Sequence, residues 1–117
     1  MRNEPLLSWQ WKLYPEGHRD RRNLAIHLAT QPLFFAGVVA LVVSPFAGWW
    51  LALVGPAAMV LTVALQGRGH KMEKSAPAPF EGPLDVAKRL FFEQMITFPR
   101  YVLSGGFARA WRDAGRP

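Results

Sequence analysis

Three histidines, His18, His27 and His70, are the side chains best suited to chemistry in this 117-residue chain. Each lies at an edge of a long apolar block. In "HRDRRNLAIHLATQPLFF", residues 18–35, His18 belongs to a charged run and His27 to the apolar run behind it. If residues 21–43 are helical, Asn23 and His27 are four apart and about 40° from each other around the axis, so they share a face. Asp20 stands where it can cap that helix, leaving His18 in the approach loop, free to fold back over the helix start. Beyond the block, His70 and Glu73 are three apart and share a face wherever that segment is helical. A hairpin made of the two halves of the block brings residues 23–27 and 66–73 to the same end. Three imidazoles and one carboxylate could then converge. That donor set suits Fe, Zn, Ni or Cu, and three nitrogens leave open positions on iron for substrate and dioxygen. Each histidine taken alone reads as readily as an interfacial hydrogen-bonding residue, Glu73 as a solvated charge, and Gln31 as a partner for carbonyls freed by Pro32. The residues leave both readings open, and the convergence of all three histidines on one side favours the first.

The elements that would position these groups follow from hydropathy. Residues 24–43 and 46–65 are almost wholly apolar, and at about 1.5 Å per residue each reaches roughly 30 Å, the thickness of a bilayer's hydrocarbon core. Ser44-Pro45 between them reads as a tight turn. The pair predicts a transmembrane helical hairpin, with Pro32 and Pro56 as kinks that face protein or a cavity. Residues 1–23 form a polar lead in which Trp9, Trp11 and Tyr14 stand near Lys12 and Arg19, an interfacial composition, or one that packs on a core. Residues 66–83 form a polar, proline-rich connector. Pro83 and Asp85 then open an amphipathic helix over 84–104. Leu84, Ala87, Phe91, Met95, Phe98 and Val102 make its apolar face, with Lys88, Arg89, Glu93 and Arg100 mostly off it. Pro99 should kink or end the first part of that helix. A basic tail, 105–117, carries Phe107 and Trp111. The expectation is one all-α membrane domain: a hairpin plus amphipathic or membrane-dipping C-terminal helices.

Composition narrows the function classes. No Asp, Glu, Lys or Arg occurs between Arg22 and Arg68, a stretch that soluble domains rarely leave uncharged. The net charge of +6 comes from basic residues flanking the apolar block, as beside anionic headgroups. No nucleic-acid module accompanies them, so no nucleic-acid partner is expected. The absence of cysteine excludes disulfides, thiolate metal sites and cysteine nucleophiles. The first apolar run follows a mixed-charge lead without a small-residue cleavage site, which argues against a signal peptide. Arg19, Arg21 and Arg22 precede the hairpin, and Arg68, Lys71 and Lys74 follow it, while the turn is uncharged. Both termini are therefore expected on the cytoplasmic side. The Ala, Gly, Arg and Trp usage suggests a bacterial inner membrane.

Two motifs at the ends of the hairpin resemble a known family. His18, Asn23 and His27, with Thr30-Gln31-Pro32 behind them, match a pattern of His, four residues, Asn, three residues, His, then Gly-x-Pro. "GHKMEK", residues 69–74, followed by Pro77-Ala78 and Phe80-Glu81-Gly82-Pro83, is similar to the family's second half. The chain thus resembles the small multi-histidine membrane proteins related to the fungal endoplasmic-reticulum 2-hydroxy fatty acid dioxygenase, over residues 14 to 105. Thr30 stands where Gly is usual, Ser75-Ala76 replace a more polar pair, and Pro79 replaces Thr or Leu. None of these touches an expected ligand. The resemblance implies an Fe(II)-dependent dioxygenase that shortens 2-hydroxy fatty acids by one carbon, the oxidative step of α-oxidation. It implies His18, His27 and His70 as iron ligands, and Glu73 as a fourth ligand or a carboxylate orienting a histidine. Asn23 would hydrogen-bond a ligand or dioxygen. Arg22, Arg68 or Lys71 would draw the acid head, and the tail would lie among Phe34, Phe35 and Phe91. Trp49 and Trp50, near the turn, read rather as lipid contacts. Two other classes stay open: a non-catalytic membrane scaffold, and another metal-dependent lipid enzyme such as a zinc hydrolase.

Overall fold

The computed structural model describes residues 4–115, and every regular element among them is helical. The outermost residues of the lead and of the basic tail, 1–3 and 116–117, lie outside the described residues. Leu6–Leu13 forms α1, and a 3-10 turn over Tyr14–Gly17, with Pro15 in its first turn, leads to α2, Arg21–Ala47. Asp20 caps α2 as its sequence position requires: its carboxylate accepts the Arg22 N–H at 2.8 Å.

The hairpin closes later than expected. α2 runs through Ser44-Pro45 and ends at Gly48, and α3 spans Leu51–His70 rather than 46–65. Pro45 cannot donate to the Leu41 carbonyl one turn back, which would normally break a helix. The buried Ser44 hydroxyl donates to that same carbonyl at 2.8 Å and carries the helix through. Gly48 then takes φ 150°, open only to glycine, and its N–H returns to the Ser44 carbonyl. The later turn also carries α3 to His70, so the first polar residues of the expected connector are helical.

α2 and α3 pack along a seam of small and polar residues. On α2 the buried positions are Asn23, Leu24, His27, Thr30, Phe34, Gly37 and Ser44. On α3 they are Gly55, Thr62, Gln66 and Gly69. A Cβ on Gly37 would lie 2.6 Å from the Gly55 carbonyl oxygen, and a Cβ on Gly55 would lie 2.6 Å from that of Gly37. Only glycine at both places lets the backbones approach so closely, as in helix pairs that associate in lipid. Large apolar side chains such as Val42, Phe46, Leu53 and Val60 point outward. The polarity is inverted relative to a water-soluble helix pair, which buries its apolar stripe. Both helices are long and apolar enough to cross a membrane.

The remaining helices gather at the end opposite the turn. α4, Pro83–Phe92, passes through a wide π turn, Glu93–Thr97, into α5, Phe98–Leu103. The π turn answers the expected break at Pro99: the Phe98 N–H reaches back to the Glu93 carbonyl, and Pro99 cannot make the next bond of that register, to the Gln94 carbonyl. Gln31 of α2 donates to that carbonyl instead, at 2.8 Å. Gly105, at φ 86°, reverses the chain into α6, Gly106–Ala114. Tyr14, Phe98 and Tyr101 form the buried core of this cap, with Trp11, Val102 and Phe107 against it. Gln10 ties α1 to it by donating to the Arg89 carbonyl and accepting from the Thr97 hydroxyl.

Candidate metal centre

Among the described residues, His18, His27, His70 and Glu93 each offer a ligand atom within 4.8 Å of the others. They come from four separate places: the loop before α2, the first turns of α2, the last residue of α3, and the π turn. The three imidazole rings sit 4.8–4.9 Å apart between centroids and nearly perpendicular to one another. Glu93 Oε2 lies 3.5 Å from His18 Nε2 and 3.4 Å from His27 Nε2. That spacing is close to the roughly 3.4 Å edge of a tetrahedron of ligands about 2.1 Å from one ion.

The far side of each ring fixes how it is presented. His18 Nδ1 lies 2.8 Å from the Tyr14 carbonyl, and His27 Nδ1 lies 3.0 Å from the Asn23 carbonyl. A carbonyl can only accept, so each Nδ1 carries the proton and each Nε2 lone pair faces inward. His18 Nε2, His27 Nε2 and His70 Nδ1 are buried with no hydrogen-bond partner. Three orphaned nitrogens around one carboxylate are costly in a bare protein, and a bound cation would satisfy all of them. The residues therefore fit a metal ion.

Tyr14 adds a further constraint. Its ring stacks on His18, 3.8 Å between centroids, and its hydroxyl donates to Glu93 Oε2 at 2.9 Å. Burial and then the Glu93 carboxylate push the Tyr14 phenol well above its usual value, so it stays protonated and remains a donor. Burial alone would raise the Glu93 carboxyl. The neighbouring His18 and His27 rings outweigh it and hold the group well below the usual carboxylate range. Glu93 is ionised, as a ligand must be.

The carboxylate expected beside the histidines, Glu73, stands outside the group. α3 ends at His70, so His70 and Glu73 do not share a helical face, and Glu73 follows in a turn. Its oxygens accept the backbone N–H groups of Arg19 and Asp20 at 2.9–3.1 Å. They also accept Asn23 Nδ2 at 2.7 Å. Asn23 in turn donates to the Gly17 carbonyl and fills the space over Gly69, where any Cβ would collide with its Oδ1. Asn23 and Glu73 therefore clamp the His18 loop to the ends of α2 and α3, and the Asn23 amide faces this clamp rather than the imidazoles.

The apolar spacing over 84–104 sets Glu93 mostly off the apolar face, yet the structure turns it toward the histidines. The signal that points to it is its setting: the only charge in "LFFEQMITF", residues 90–98. An isolated ionisable group in an apolar run marks a functional position.

A cavity of about 730 Å³ opens beside the cluster, lined among others by His18, His70, Glu93, Lys71 and Lys74. Of the cations expected at a substrate head, Lys71 lines it. Arg22 does not; it pairs with Asp20 at 2.9 Å on the surface. Arg68 is exposed and also lies off the cavity wall.

A family model described as 2-hydroxy-palmitic acid dioxygenase Mpo1-like matches residues 6–99. The chain belongs to this Mpo1-like family. The match takes in all four residues of the cluster, Glu93 included, and ends within α5. No curated protein and no solved structure matches the chain.

Proposed function

We propose that this chain is an Fe(II)-dependent dioxygenase that shortens 2-hydroxy fatty acids by one carbon at a membrane surface. The observation that carries the reading is the set of three unpartnered buried histidine nitrogens around an ionised glutamate, at the wall of a large cavity, in a chain of the Mpo1-like family. His18, His27, His70 and Glu93 would hold the iron. Imidazole and carboxylate donors suit iron, and four of them leave room for substrate and dioxygen. When bound, iron supplies the redox chemistry that cleaves the bond between C1 and C2.

The chain's own residues do the rest. The Tyr14 and Asn23 carbonyls fix the His18 and His27 tautomers, and the Tyr14 hydroxyl holds Glu93 in place. Asn23 and Glu73 act as positioning residues, through the loop that carries His18. Lys71 and Lys74 attract the acid's carboxylate, and the apolar remainder of the cavity takes the acyl chain and keeps bulk water away. Arg22 and Arg68 contribute only to the positive field outside it. The hairpin crosses a bacterial inner membrane, with both termini on the cytoplasmic side.

The test combines metal analysis with turnover. Protein loaded anaerobically with Fe(II) should retain about one iron per chain, as a single four-residue cluster requires. It should convert 2-hydroxypalmitate and oxygen to the acid one carbon shorter, and His27→Ala should abolish both. A preparation that retains no transition metal would leave only the scaffold reading. Zinc that resists exchange would favour a zinc hydrolase.

A further inference from the structure

A second cavity, of about 570 Å³, lies between α2, α3 and α4, bounded by Phe34, Met59, Val60, Phe91 and Phe92. Its wall is apolar throughout; Lys88 contributes only its aliphatic stem. Val63 and Leu90 line both this cavity and the one beside the histidines, so the two adjoin there. The first carries Lys71, Lys74 and three members of the cluster, His18, His70 and Glu93, on its wall. The second ends where Val60 and Phe91, 69% and 40% exposed, open onto the apolar outer face of the hairpin.

We propose that the two cavities form one acyl channel, with the substrate carboxylate at the cluster, the chain passing between Val63 and Leu90, and the far end open to lipid. The identity of the occupant rests on the dioxygenase reading, and the channel deepens it by fixing how chain length is read. α3 serves as the ruler. Val63 precedes His70 by seven residues and Met59 by eleven, about 10 Å and 16 Å along the axis. An extended acyl chain advances roughly 1.3 Å per carbon, the tetrahedral projection of a C–C bond of about 1.5 Å. Val63 therefore stands near roughly the ninth carbon and Met59 near roughly the thirteenth. Chains that end before Val63 leave the second cavity unfilled. Chains that pass Met59 project into the bilayer and gain nothing more from the protein.

A tryptophan at Val63 should block the channel near roughly the ninth carbon, and one at Met59 nearer the end. The experiment offers the iron-loaded protein, in lipid nanodiscs, a mixture of 2-hydroxy acids spanning roughly eight to eighteen carbons, and measures the products of each length. A second arm uses plain fatty acids of the same lengths to displace a fluorescent fatty acid from metal-free protein, which reads binding without turnover. In both arms Val63→Trp should lower the long-to-short ratio at least about tenfold, because several methylenes at roughly fourfold each lose their place. Met59→Trp should shift the ratio only among the longest chains, and Leu53→Trp, on the outer face near the turn, should leave it unchanged. Leu90→Trp blocks the same junction from the other helix, should Val63→Trp fail to fold. Wild-type ratios in both junction variants would overturn the channel. If the wild type shortens no acid but the displacement ratios still shift, the channel stands and the dioxygenase reading falls.

Discussion

Glu73 and Glu93 divide the acidic roles at the centre, and single substitutions should separate them. Glu93 faces two imidazole nitrogens and accepts a hydrogen bond from the Tyr14 hydroxyl. Glu93→Gln keeps an acceptor for that hydroxyl but loses the anionic ligand, so iron affinity should fall at least about 100-fold, beyond the 10–100-fold typical of residues that only orient a ligand. Melting of the metal-free protein should change by no more than about 1 kcal/mol, since the neutral amide still accepts a hydrogen bond. Glu73 instead accepts from two backbone N–H groups and from Asn23. Glu73→Ala removes hydrogen bonds to a charged acceptor and should destabilise even the metal-free protein by about 1.5–3 kcal/mol. Its iron affinity should fall by the smaller factor, because His18 loses its fixed loop while every ligand remains. Thermal melts with and without iron check both. Equal effects on metal-free melting would show that Glu73 does not clamp the loop.

At the scale of elements, the π turn decides where Glu93 points, and Gln31 holds the π turn. Its amide supplies the hydrogen bond that Pro99 cannot give to the Gln94 carbonyl. Beside it, the Gln94 and Gln66 side chains bond to each other, and Gln66 reaches the Thr30 hydroxyl at 3.0 Å. Gln31→Leu leaves a carbonyl without its partner and should destabilise the protein by about 1–3 kcal/mol. It should also weaken iron binding although residue 31 touches no ligand, and Gln31→Glu, which cannot donate while ionised, should not restore it. Unchanged iron affinity in Gln31→Leu would mean the turn holds Glu93 unaided. These relations explain what could be read in advance. The hairpin, the Asp20 cap, the helix start at Pro83 and the meeting of three histidines follow from hydropathy, capping and spacing, all local or periodic signals. The turn falls later than Ser44-Pro45 suggests because Pro45 normally breaks a helix, and the Ser44 hydroxyl that bridges it is a contact rather than a pattern. A 3.6-residue period sets Glu93 off the apolar face, and the π turn that redirects it depends on Gln31, whose bond to the Gln94 carbonyl spans 63 residues.

The whole molecule places its chemistry at one end and its turn at the other. That end is closed by α1, α5 and α6, and Arg21 at the start of α2 donates to the Trp111 carbonyl at 2.8 Å, holding α6 beside the origin of the hairpin. The outer surface of α2 and α3 is apolar down to Trp49 and Trp50 at the turn, both largely exposed. Among the described residues, basic side chains gather at the closed end, where the positive-inside bias would put the cytoplasm. The chain has no native cysteine, which makes the orientation directly measurable. Ser44 is too buried to report the far side, whereas Trp49, in the turn itself, is open to reagent. Single cysteines in place of Trp49, Ser75 and Ala114 should divide between the two faces of an inner-membrane vesicle. Ser75→Cys and Ala114→Cys should react with a membrane-impermeant maleimide in inside-out vesicles, and Trp49→Cys only in right-side-out spheroplasts. Labelling of Trp49→Cys from the same side as Ser75→Cys would show that the hairpin does not cross. The proposed acyl channel would then lose its exit, because an opening on α3 is useful only where that face meets the bilayer.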